Sequence, residues 1–118
     1  MKDGFIKAAA GTPDVRVADC EFNATEIIRM VHEMEEQGAK VMVFPELCIT
    51  AYTCGDLFWQ ENLLEEAKVQ LVRIAEETKE VDALIFVGLP WEQGGKLFNV
   101  AAVLCHGELL GIVPKKYL

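Results

Sequence analysis

The chain has 118 residues, enough for one domain with a modest core. Hydrophobic residues make up 52%, which excludes a disordered chain, and no apolar run approaches the roughly 20 residues that cross a bilayer. The net charge of −8 argues against a general nucleic-acid binder, because such affinity rests on Lys and Arg neutralising phosphates.

The start, Met1-Lys-Asp-Gly-Phe5, has no apolar stretch before a cleavage pattern, so a cytoplasmic protein with reduced cysteines is expected. Phe5-Ile6 leads into a first strand, Lys7 to Ala10, closed by the turn residues Gly11, Thr12 and Pro13. Asp14, Arg16 and Asp19 follow as a solvated polar loop. A helix is predicted from about Asn23 to Gln37, with Asn23 as N-cap and Glu26 completing a capping box. Ile27, Ile28, Val31 and Met34 form its apolar face, Glu33, Glu35 and Glu36 its wet one, and Gly38 its stop.

Strand two spans Lys40 to Phe44 and ends at Pro45-Glu46. Cys48 to Trp59 reads as a loop with a helical turn, Asp56 being a possible cap. A second helix runs from about Asn62 to Thr78 with a buried stripe of Leu64, Ala67, Leu71, Ile74 and Ala75. Val81 to Leu89 is strand three, bounded by Pro90 and the hairpin signal Gly94-Gly95. Leu97 to Cys105 is strand four, His106-Gly107-Glu108 turns, and Leu109 to Val113 is strand five. The order β-α-β-α-β-β-β predicts an α/β mixed sheet, parallel in its first half and antiparallel at its end, with two helices on one face. Strands two and three are apolar on both sides, so both faces need cover.

Two strand ends carry the chemistry. Val41-Met-Val-Phe-Pro-Glu46 places a carboxylate at the carboxyl edge of a strand, where open α/β sheets collect ligands. Taken alone, Glu46 equally suits a strand simply meeting solvent. Val113-Pro114-Lys115-Lys116 then ends a second apolar strand in an amine. Lys115 is preferred over Lys116, which would point the opposite way if the strand continues. The cysteines Cys20, Cys48, Cys54 and Cys105 form no C-x-x-C pair, and His32 and His106 are far apart, so no metal site is expected. Gly94-Gly95 is a hairpin turn, not a phosphate loop.

FPEL at residues 44–47 and PKKYL at 114–118 together resemble the nitrilase (carbon–nitrogen hydrolase) superfamily. The longer stretches KDGFIK, TPDVRVADCEFN, QGAKVMVFPELCITAYTCGDLF and LFNVAAVLCHGELLGIVPKKYL are similar to the glutaminase part of the glutamine-dependent NAD⁺ synthetase branch. The resemblance covers nearly the whole chain. It implies that residues 1–118 are the N-terminal portion of a hydrolase domain, the first part of an α-β-β-α sandwich whose second sheet covers the open face. It implies Glu46 as general base, Lys115 as oxyanion stabiliser, and a nucleophilic cysteine beyond residue 118. Neither Cys48 nor Cys54 has the family's nucleophile context.

By the same resemblance Tyr52 lines the glutamine pocket or the ammonia path, though an aromatic packed on the second helix fits as well. Asn99 would satisfy backbone groups near the site. Asp56, Leu57 and Phe58 would shape the loop or touch neighbouring subunits. Ala51 stands where glycine is commoner, and Gly11 where alanine or another small residue is more usual. No cofactor is expected in this segment; ATP and Mg²⁺ would bind a synthetase domain of the same chain. Glutamine, that domain and a homo-oligomer are the expected partners, with no nucleic acid and no membrane. A stand-alone amidase of this family, or a non-catalytic interaction module of the same fold, are the alternatives.

Overall fold

β-Branched and small residues flank two parallel pairings that set up the first half of the sheet. The computed structural model describes residues 6–50 and 61–115. β1 (Ala8–Ala10), α1 (Cys20–Glu36), β2 (Val41–Val43), α2 (Glu61–Glu77), β3 (Leu84–Gln93), β4 (Lys96–Cys105) and β5 (Glu108–Pro114) follow one another in the expected order. The five strands lie in a sheet ordered β1-β2-β3-β4-β5. β1–β2 and β2–β3 are parallel, with Val43 opposite Phe86, while β3–β4 and β4–β5 are antiparallel.

Strand alternation separates two faces. Met42, Ile85, Val87, Leu89, Val100, Ala102 and Leu104 are buried together with Ile27, Val31, Leu71 and Ile74 of the helices. Each fully buried Val, Leu, Ile or Met side chain of this set contributes about 1.5–3 kcal/mol, so this helix-covered face holds the fold. Along the opposite phase Phe86, Ala101 and Val103 are only half-buried, and Val43 and Val113 remain 44% and 55% exposed.

Several boundaries differ from the sequence expectation. Helix α1 starts at Cys20, not Asn23, because the Asp19 carboxylate accepts the Phe22 N–H at 3.1 Å and caps the helix. Asn23 is buried instead: its Oδ1 accepts the Arg16 N–H at 2.6 Å. Its Nδ2 donates to the carbonyls of Arg16 and Ile49, each at 2.8 Å. A buried side chain with three hydrogen bonds to main chain ties the first loop to the turn after β2, a task that outcompetes capping. In α2 Leu63 is buried where Leu64 was expected, and Leu64 is half-buried.

Strand β3 runs through Pro90 to Gln93 rather than ending at Leu89. Phe86 and Gly88 turn their carbonyls toward the β2 side, where Phe44 and Ile49 donate to them at 3.0 and 3.2 Å. Pro90 lies in the same phase, past the end of β2 at Val43, so its missing N–H removes no ladder bond. Gly38 does end α1: at φ 81° it donates to the Glu35 carbonyl, and Ala39 donates to Met34. Gly94 and Gly95, at φ 60° and 78°, make the tight β3–β4 turn.

The β4–β5 turn is pinned to the rest of the sheet by His106. Its Nδ1 lies 3.2 Å from the Lys79 carbonyl and its Nε2 3.0 Å from Asp82 Oδ1. The hydrogen bond to Asp82, then that to Lys79, raises the imidazole pKa above its ordinary 6.5. The same His106 bond, with Lys40, lowers that of Asp82 below 3.8. A raised histidine contributes stability fully present below its unfolded value and lost as pH rises through its folded one. A lowered aspartate contributes above its unfolded value and loses it as pH falls. The pairing therefore acts between about 4 and 6.5 and fades on either side. A proton NMR titration should give a His106 midpoint above 6.5 that falls when Asp82→Asn removes the partner.

Candidate active site

Glu46 is aimed by an elbow of main chain. Beyond Val43 the chain passes through Phe44 and Pro45 and folds over Gly88 of β3. A Cβ on Gly88 would lie 2.5 Å from the Leu47 nitrogen, 2.7 Å from the Pro45 oxygen and 2.9 Å from the Glu46 carbonyl carbon. Only glycine permits that approach. Leu47 takes a left-handed conformation at φ 52°, an uncommon state for a branched side chain that costs on the order of 1–3 kcal/mol. Its side chain is buried, and Ile49, also buried, donates to the Gly88 carbonyl at 3.2 Å; these contacts hold the elbow.

Lys115 arrives from the other end of the sheet. The β4–β5 ladder continues one rung past Pro114, with the Lys115 N–H donating to the Asn99 carbonyl at 2.8 Å. From there Lys115 Nζ reaches Glu46 Oε1 at 2.5 Å, across 69 positions of sequence. Asn99 Nδ2 approaches the second carboxylate oxygen, Oε2, at 3.4 Å. The cleft around them, about 220 Å³, is lined by Phe44, Pro45, Gly88, Ala101, Val113 and Pro114 besides the three polar residues. An acid and an amine thus face each other over an otherwise apolar floor. One can trade protons and the other can neutralise a developing anion.

Cys48, two residues from Glu46, faces away from this cleft. Its thiol lies against Gly88, accepting the amide N–H at 3.4 Å and donating to the carbonyl at 3.7 Å. Burial pushes its pKa up to about 11, opposite to what a nucleophilic thiolate needs. Cys20 is buried and Cys105 half-buried. Tyr52, Cys54, Asp56, Leu57, Phe58 and Lys116 lie outside the described residues. Arg16 stays in local contacts of the first loop, with Asp19 at 3.9 Å and over the Phe22 ring. Among the described residues no group of three or more metal-binding side chains gathers, and no helix is long and apolar enough to cross a membrane.

Two parts of the site escaped the sequence reading. Gly88 is an unremarked glycine within an apolar strand, although an isolated glycine there signals close backbone approach. Asn99 was expected to satisfy backbone groups near the site with its side chain; its amide Nδ2 instead lies against the Glu46 carboxylate. An amide side chain inside the apolar run Leu97 to Cys105 was the available signal.

The carbon–nitrogen hydrolase family profile matches residues 7–117, and the chain belongs to that family. Within it, the chain is similar to glutamine-dependent NAD(+) synthetases. It is 32% identical over 115 residues to the Mycobacterium tuberculosis protein, covering 98% of this chain and 17% of that one. It is 35% identical over 115 residues to the Xylella fastidiosa protein, covering 97% and 21%. The crystal structure of the glutamine-dependent NAD(+) synthetase from Cytophaga hutchinsonii superposes with a TM-score of 0.89 at 27% identity, over 96% of this chain and 19% of that one. An amidase from Nesterenkonia sp. shares the fold with a TM-score of 0.79, over all of this chain and 45% of its own. The chain therefore spans about a fifth of the synthetases it matches, and its mixed sheet is the first part of a nitrilase-type α-β-β-α sandwich.

Substituting Gly88 tests the elbow. Gly→Ala in a strand is ordinarily neutral or stabilising where the backbone allows it. Here Gly88→Ala should destabilise the full-length protein by about 2–3 kcal/mol in denaturant unfolding, since the added methyl meets backbone that has nowhere to go.

Proposed function

We propose that this chain carries the acid and the amine of a glutamine-hydrolysing site that supplies ammonia for NAD⁺ synthesis. The convergence of Glu46 and Lys115 at 2.5 Å carries this reading. The glutamine-dependent NAD(+) synthetases it resembles suggest the substrate and the purpose. In the reaction, Glu46 takes the proton of a cysteine thiol, and the thiolate attacks the amide carbon of glutamine. Lys115 stabilises the negative oxygen of the tetrahedral intermediate. Collapse expels ammonia, which receives the proton from Glu46, and leaves a thioester. Glu46 then deprotonates water, which attacks the thioester and releases glutamate and the thiol.

The thiol is supplied from beyond residue 118, consistent with the buried, high-pKa Cys48, so these 118 residues by themselves do not turn over glutamine. By the family resemblance, we assign Tyr52 to the glutamine pocket or the ammonia path. The ammonia passes to a synthetase domain of the same chain, which uses ATP and Mg²⁺ to amidate nicotinic acid adenine dinucleotide. The whole works in the cytoplasm as a homo-oligomer.

In the full-length enzyme, Glu46→Gln should abolish glutamine-dependent NAD⁺ formation while ammonia-dependent formation survives. Equal loss with both nitrogen sources would count against the assigned role. Lys115→Ala should lower glutamate release by about 10²–10³-fold, the usual loss for one oxyanion donor, again sparing the ammonia-dependent reaction.

A further inference from the structure

The pairing of Glu46 with Lys115 leaves a second carboxylate oxygen to be accounted for. That oxygen, Oε2, meets the Nδ2 of Asn99 at 3.4 Å. Asn99 also holds the other partner, since its carbonyl takes the Lys115 N–H at 2.8 Å. One residue of β4 thus touches the side chain of the acid and the main chain of the amine. Its position on the strand explains how. Asn99 stands opposite Pro90 of β3 and lies in the same phase as Ala101, whose cross-strand neighbours are Gly88 and Val113. The amide therefore projects over the same sheet face as the elbow that crosses Gly88.

We propose that Asn99 is a positioning residue that fixes the orientation and proton affinity of the Glu46 carboxylate, and that sets the acidic limit of glutamine hydrolysis. This deepens the function proposed above and rests on it. An amide N–H makes a stronger, charge-assisted hydrogen bond to an ionised carboxylate oxygen than to a neutral carboxyl, so it favours the ionised form and one rotation of the carboxyl plane. Lys115 acts on Oε1 in the same direction. Among the described residues lining the cleft, Glu46 and Lys115 are the titratable ones; Phe44, Pro45, Gly88, Val100, Ala101, Val113 and Pro114 carry no charge. Removing the amide therefore takes one donor away from the carboxylate.

The test is the pH profile of kcat/KM for glutamate release by the full-length enzyme. Asn99→Ala should move the acidic limb up by about one pH unit, as loss of a donor to a charged group raises a carboxylate pKa. Asn99→Asp keeps the shape and replaces the donor with an anion, so its limb should move further in the same direction. A loss of kcat/KM that is uniform across pH, with the limb unmoved in both variants, would overturn the proposal and leave Asn99 a packing residue. Glu46→Gln, assayed beside them, separates the two readings. If that variant retains wild-type glutamate release, the catalytic role of Glu46 falls and this inference with it. If it is dead while the Asn99 limbs stay in place, only the inference falls.

Discussion

A contact between two stretches of main chain, at Gly88, underlies the geometry of the site. The Pro45–Leu47 elbow rests on β3 at a distance no side chain would allow, and Glu46 leaves the sheet from the top of that elbow. Everything nearby reads as support for this contact. The Cys48 thiol and the Ile49 amide both bind Gly88, and Asn23 holds the Ile49 carbonyl from the opposite side. The left-handed Leu47 is a local cost, met by burial of its side chain. Exposed ion pairs contribute only about 0–1 kcal/mol, so the Glu46–Lys115 pair, with side chains 38% and 53% exposed, adds little to the fold. The fold holds the pair, not the reverse.

Lys115 is placed by different means. Its position follows from the register of two antiparallel hairpins, each closed by a tight turn with positive φ: Gly94-Gly95 and His106-Gly107. A register error of one residue would send every side chain of β5 to the wrong face and carry the amine away from Glu46. The shift between Val103 and Leu104 shows that the ladder is not regular throughout, yet it recovers to pair Ala101 with Val113 and Val100 with Pro114. Proline ends the ladder's capacity to donate, and the Lys115 amide resumes it on Asn99. The site is thus formed by a strained elbow on one side and an accurate hairpin register on the other.

What the sequence disclosed follows from this division. Element order, the Gly38 stop and the Gly-Gly turn were legible because each depends on periodicity or on a residue's own backbone freedom. The acid and the amine were legible as strand-end motifs. Asn23 was misassigned because its type suits a cap, and nothing local revealed the Arg16 and Ile49 backbone groups that claim it. Pro90 looked like a strand boundary because its neighbours do not show that β2 has already ended beside it. Leu63 and Leu64 are adjacent and identical, so helical phase alone had to choose between them. Gly88 and the amide of Asn99 act on segments some 40 to 53 residues away, and such partners have no local signature.

The two faces of the sheet explain why the chemistry sits where it does. The helix-covered side is filled with aliphatic side chains and has no room for a charged pair. The opposite side presents Val43, Phe86, Val103 and Val113 incompletely covered, with the carboxylate and the amine at its edge. In a nitrilase-type sandwich a second sheet packs on that side. Covering it would bury apolar surface and also lower the dielectric around Glu46 and Lys115. The attraction of two opposite charges about 4 Å apart rises from about 1 kcal/mol in water to about 4 kcal/mol at an effective dielectric of 20. The same closure that completes the core would therefore turn a weak exposed pair into a preorganised one.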